Sequence, residues 1–160
     1  MKINEEIARQ LLEMYDGNNW SEVCLKSTLS DVSFSEATTL TRASKNNIAA
    51  LTHHITYYIR VVEHRLLGNN FDPKHNESFR LKSLEGDVDW KEQQEHLHQA
   101  IHDLADAVRN IDDSRMGEPL KPTGSSVYKS LHGVIEHCYY HLGQIIMLKK
   151  LLRSSVPQLV

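Results

Sequence analysis

Two pairs of histidines stand four residues apart in this chain, His98/His102 and His137/His141. On a helix such a pair points the same way from successive turns, and neutral imidazoles are good ligands for zinc, nickel, copper and iron. Ten of the 160 residues are histidine. A chain this rich in histidine holds roughly 0.6 such pairs by chance, so spacing alone is weak evidence and the helix faces have to separate the two. His53 and His54 add a third candidate position; as helix neighbours they cannot share a face.

The elements that must position these residues read as helices. The first runs roughly from Asn4 to Tyr15, with Ile7, Leu11 and Tyr15 or Met14 on one side, and Asp16-Gly17-Asn18-Asn19 stops it. A short helical piece follows from about Trp20 to Leu29, and Ser33-Phe34-Ser35-Glu36 has the spacing of a capping box. The second long helix is expected from near Asn46 to Leu67, its seam formed by Ile48, Leu51, Ile55, Tyr58, Val62 and Leu66. Residues 68–88 then read as one long irregular connection, a length that in a compact domain often serves function. The third helix begins near Asp87 or Asp89 and reaches about Ile111, with Trp90, Leu97, Ile101, Leu104 and Val108 facing inward. Gly117, Pro119, Pro122 and Gly124 make 112–124 a loop, and the fourth helix spans roughly Ser126 to Arg153. No alternating run competes, so the expected fold is all-α: a single domain over 1–160, a four-helix bundle with long connections after the second and third long helices.

The inward direction of each helix sorts the histidines. With Cys138 as the core centre of the fourth helix, His141 lies about 60° and His137 about 100° off it, at the core edge; His132 falls about 120° away on the other side. On the second helix His54 lies about 100° from Ile55, between Leu51 and Val61, whereas His53 points about 160° away. His54, His137 and His141 therefore give three imidazoles from two helices, the donor set of a metal site with open positions. His98 and His102 lie about 60° and 100° from Ile101, but among Gln94, Glu95, Gln99 and Asp106, and a solvated flank is the favoured reading. The residues alone leave two readings of the triad open: a metal site, or core-edge histidines satisfied by hydrogen bonds.

Composition narrows the function classes. Lys plus Arg number 18 and Asp plus Glu 21, a formal charge of −3, so no broad basic field is available for nucleic acid. Cys24 and Cys138 are too few for a disulfide framework. The opening MKINEEIARQLLEMY carries acids where a signal peptide would be apolar, and no run of about 18 apolar residues follows. A cytoplasmic protein with neither nucleic acid nor membrane as partner is expected.

The stretch EHCYYHLGQI (136–145) resembles the fourth-helix signature of the DinB-like superfamily of bacterial four-helix bundles, and NNIAALTHHITYYI (46–59) is similar to its second-helix segment. GNNW (17–20), the Ser78-Phe79 step and Asp89-Trp90 match one subgroup, so the resemblance covers nearly the whole chain. It implies a divalent metal, with nickel or zinc commonly seen and iron or manganese compatible, held at His54, His137 and His141. It also implies a metal-dependent transferase that uses a low-molecular-weight thiol such as bacillithiol or mycothiol, since a metal lowers a bound thiol's pKa. The alternative is a non-catalytic, metal-stabilised bundle serving as a binding or stress-response module. A homodimer is expected, through an exposed stripe such as Val61 with Tyr57. No catalytic residue is assigned.

Around the triad, Gln144 reads either as an orienting partner of His141 or as an ordinary hydrogen-bonding side chain. Tyr58 is expected in core packing rather than lining the site, Glu136 in solvent, Cys138 as a small buried apolar residue, and Trp20 as the anchor of the first loop.

Overall fold

The computed structural model describes residues 2–69 and 71–154. Four long helices, α1 (Ile3–Asp16), α4 (Ile48–Leu66), α6 (Asp87–Arg109) and α7 (Val127–Arg153), carry the core. The short helices α2 (Leu25–Leu29) and α3 (Phe34–Thr38) lie between α1 and α4, and a single turn, α5 (His75–Ser78), lies between α4 and α6. Helix α4 packs against α6 and α7, and α1 packs against the same two. The four therefore form a ring in which α6 and α7 are separated by α1 on one side and α4 on the other. No strand occurs among the described residues, so the expected all-α bundle is what forms.

Local chemistry sets the boundaries. Asn47 caps α4 by accepting the Ala50 N–H at 2.8 Å, one residue later than the sequence suggested, because Asn46 is held in the preceding turn by the Ser44 hydroxyl. Ser126 caps α7 through the Lys129 N–H, and Ser33 and Glu36 make the expected capping box at α3. Lys2 offers α1 no side-chain cap; Asp113, from a 3-10 turn at Asp113–Gly117, reaches back and accepts the N–H groups of Ile3 and Asn4. Buried Asn4 in turn donates to the carbonyls of Arg109 and Ile111 at 2.9 Å. That contact draws off carbonyls at the end of α6, which closes at Arg109 rather than Ile111. Gly17 ends α1 at φ 110°, in the region that favours glycine.

The inward residues expected for α6, namely Trp90, Leu97, Ile101, Leu104 and Val108, are all buried, as are the seam residues of α4 apart from half-buried Tyr58. The stripe suggested for self-association is covered by the chain itself. Val61 is 2% exposed, and the hydroxyl of half-buried Tyr57 accepts the Lys74 N–H from the long connection. The larger apolar side chains left outward on α7 are Tyr128, Tyr140, Met147 and Leu151.

An ionic clamp ties the α2–α3 segment to the end of α7. Arg153 bonds Asp31 and Glu36 at 2.8 and 2.6 Å, and Lys149 also pairs with Asp31. Lys149 and then Arg153 hold the Asp31 carboxyl at about 2, and Arg153 with the Ser33 N–H holds Glu36 at about 2. Lowered folded-state values mean that this stabilisation is present above the ordinary carboxylate range and is lost as pH falls toward about 2. Solvent and salt screen it, since both acids lie at the surface. No helix among the described residues is long and apolar enough to cross a membrane.

Candidate metal centre

His54 projects from α4, and His137 and His141 project from successive turns of α7, the helix packed beside it. Their Nε2 atoms meet: His54 to His137 at 3.1 Å and His141 to His137 at 3.0 Å. The three side chains are placed so that they can hold a metal ion. His54 is 3% and His141 6% exposed, while His137 is half-buried and forms the more open side of the cluster. His53 points away, as its neighbour's position requires, and lines a separate cleft of about 390 Å³ with Leu84, Gln93 and His96.

The outer nitrogens decide which atoms carry lone pairs. The Ser78 hydroxyl donates to the His75 carbonyl at 2.7 Å, so its oxygen is left to accept the Nδ1–H of His54 at 2.9 Å. The Gln144 amide donates through Nε2 to the Tyr140 hydroxyl at 3.1 Å, and its Oε1 accepts the Nδ1–H of His141 at 2.7 Å. With the proton on Nδ1 in both rings, both Nε2 atoms present lone pairs to the centre. Such outer partners fix ring orientation and raise ligand basicity. Of the two roles open to Gln144, it takes the orienting one.

Burial first, and then the neighbouring His141 and His137, push the His54 imidazole down to about 3. Burial and His141 push His137 down to about 4. Burial lowers His141 as well, against the opposing bond to Gln144. All three are neutral near pH 7, the state a metal ligand needs. Without a cation, the two short contacts require a proton on the His137 Nε2, which two acceptors then share. In that tautomer the His137 Nδ1 is a buried lone pair with no partner. A cation at the three Nε2 atoms accepts one lone pair from each ring in place of the single shared proton; the His137 proton then sits on Nδ1, which has no partner among the described residues in either state. The donor set therefore fits a divalent transition metal, for which imidazole is a suitable ligand.

Aromatic side chains wall the cluster. Phe79 stacks on His54 with centroids 3.9 Å apart and planes 10° from parallel, and Tyr58 meets His54 and His137 edge-on at 4.9 and 5.0 Å. Tyr58 therefore lines the site rather than filling the core, because α4 turns that edge toward α7. Cys138 is fully buried with its thiol pushed up to about 12 by burial, as a packing residue should be. Glu136 is solvated and faces His132. Trp20, expected to anchor the first loop, is 98% exposed and anchors nothing; residues 18–22 turn outward through Asn18 and Glu22, both at positive φ. His98 and His102 are half-buried against Tyr15 of α1 rather than fully solvated, because α1 packs over that flank of α6.

Ser78 and Phe79 could not be assigned their roles from local spacing, since they come from the connection after α4. The only signal they left was the length of that connection and a resemblance at the Ser78-Phe79 step. Removing the Ser78 hydroxyl tests the arrangement. Ser78→Ala should weaken metal binding about 10–100-fold with helicity unchanged, and Gln144→Leu should do the same from the other side. Competition against a chromophoric chelator measures both; wild-type affinity in both variants would mean that these bonds do not orient the ligands.

The model of the DinB superfamily matches residues 25–145, well over half of the chain, and the chain belongs to that superfamily. Comparison with curated proteins and with solved structures returns no match.

Proposed function

We propose that this DinB-superfamily chain is a divalent-metal protein that activates a low-molecular-weight thiol for transfer to a small electrophile. One observation carries the reading: three neutral imidazoles from two helices converge at 3.0–3.1 Å, two of them with their lone pairs directed inward by Ser78 and Gln144. Three protein ligands leave coordination positions open, the pattern of catalytic rather than closed structural sites. When bound, the metal supplies a lowered thiol pKa, so that thiolate is present at neutral pH.

The chain's own residues do the rest. Ser78 and Gln144 hold the ligand rings, and Phe79 and Tyr58 exclude water from their flanks. Half-buried His137 marks the side from which a small molecule reaches the cluster. In the transfer itself the thiolate sulfur forms a bond to the electrophilic carbon, whose leaving group departs with its electron pair; the thiol proton passes to solvent. Nickel and zinc are the leading ions.

The deep burial of His54 and His141 favours a second reading, a metal-stabilised bundle without catalysis. Loading untagged protein with cobalt(II) and adding bacillithiol or 2-mercaptoethanol separates the two. A new thiolate-to-metal absorption band, followed by S-alkylation of a small halide, supports the transferase. A cobalt spectrum indifferent to either thiol leaves the structural reading, and a protein that takes up no cobalt overturns both.

A further inference from the structure

His98 and His102 form the chain's other four-residue histidine pair, and the metal centre above makes no use of them. Their ring centroids lie 4.3 Å apart, against 4.4 Å for His137 and His141. Both rings rest on Tyr15, at 5.4 and 6.3 Å between centroids, so α1 holds them on one face of α6 and much of their rotational freedom is already spent.

Other histidines have a polar partner: His96 faces Glu92, His132 faces Glu136, and His64 meets the Asn69 amide. Among the described residues neither His98 nor His102 has a hydrogen-bonded or ion-paired one, and the His102 Nε2 is a buried atom without a partner. A third donor stands on the same stripe. Glu95, exposed, lies three residues before His98 and seven before His102, on the same face of α6. Asp103, the acid next to His102 in sequence, is held by Arg60 and Gln99 and is not available.

We propose that His98 and His102, with Glu95 as the third donor, form a second divalent transition-metal site at the α1–α6 interface, weaker than the triad. Two imidazoles and a carboxylate suit copper(II), nickel(II) and zinc(II), with copper(II) bound tightest. All three donors come from one helix, and Glu95 must swing in from solvent to complete the set, which makes this the weaker site. The triad lies between α4 and α7, away from this interface, so the two sites load independently. The proposal does not require the triad to bind metal.

Copper(II) is the probe, titrated into untagged apoprotein by equilibrium dialysis with metal analysis. The wild type should take up two classes of ion. His98→Ala with His102→Ala should lose the weaker class alone, and His137→Ala with His141→Ala should lose the tighter class alone. Glu95→Gln should weaken the second class about tenfold. If the double α6 variant does not fold, His98→Gln leaves His102 packed on Tyr15 and should still lower the second-class affinity at least about tenfold. Copper uptake that the α6 substitutions leave unchanged, whether the wild type shows one class or two, overturns the proposal.

Discussion

Replacing His137 and His141 together by alanine is expected to take the triad's tightly bound metal from about one ion per chain to none, with the helical bundle intact. Two of three ligands disappear, and His54 alone cannot retain a transition metal against solvent or a chelator. The fold survives because alanine is the strongest helix former and both positions lie within the long helix α7. The main loss is the donor to Gln144 Oε1, a cost of about 1–3 kcal/mol against a total of about 5–15. Mass spectrometry of the untagged protein, with circular dichroism as the control, reads both quantities. Stripping the wild type with a chelator should lower its unfolding temperature, since a ligand at 100 times its Kd adds about 2.7 kcal/mol. The double variant should show no such drop. An unchanged melting curve on stripping, or undiminished tight metal binding in the variant, would remove the triad from consideration.

Trp90→Ala is expected to give the largest loss of stability, about 3–5 kcal/mol. Trp90 sits in the first turns of α6, buried to 2% exposure, and its indole N–H donates to the Val32 carbonyl at 2.7 Å. It fills the core and also fastens the α2–α3 segment to α6. Trp90→Phe keeps most of the volume but leaves that carbonyl without its donor, and should cost about 1–3 kcal/mol. Urea unfolding measures both as a lower midpoint at unchanged slope. A loss below about 1 kcal/mol for the alanine variant would show that the segment is fastened elsewhere, with the Asp31–Arg153 clamp the next place to look.

Much of this architecture is legible in the order of the residues. The four long helices, the Ser126 cap and the Ser33–Glu36 box follow from local spacing, because capping and periodicity are properties of a few adjacent residues. The choice of His54 over His53 comes from the same arithmetic: a step of about 100° decides which of two neighbours faces the bundle. Where a residue's environment is made by a distant segment, that arithmetic has nothing to act on. Tyr58 fits the seam by spacing yet meets two ligand rings, because α7 arrives beside it. Val61 and Tyr57 look free by spacing and are covered from the long connection or the bundle. Trp20, expected from the sequence to anchor the first loop, finds no element above it.

Residue order is enough to mark this chain as an all-α bundle resembling the DinB type, and to set His54, His137 and His141 on the edges of two helices. Periodicity records the face on which each side chain leaves its own helix. It takes the docked bundle to bring those edges together at 3.0–3.1 Å, to have Ser78 and Gln144 turn the lone pairs inward, and to gather His98 and His102 against Tyr15 as a second pair. A helix states its own face; which neighbour lies against it depends on how the bundle docks and where the connections run.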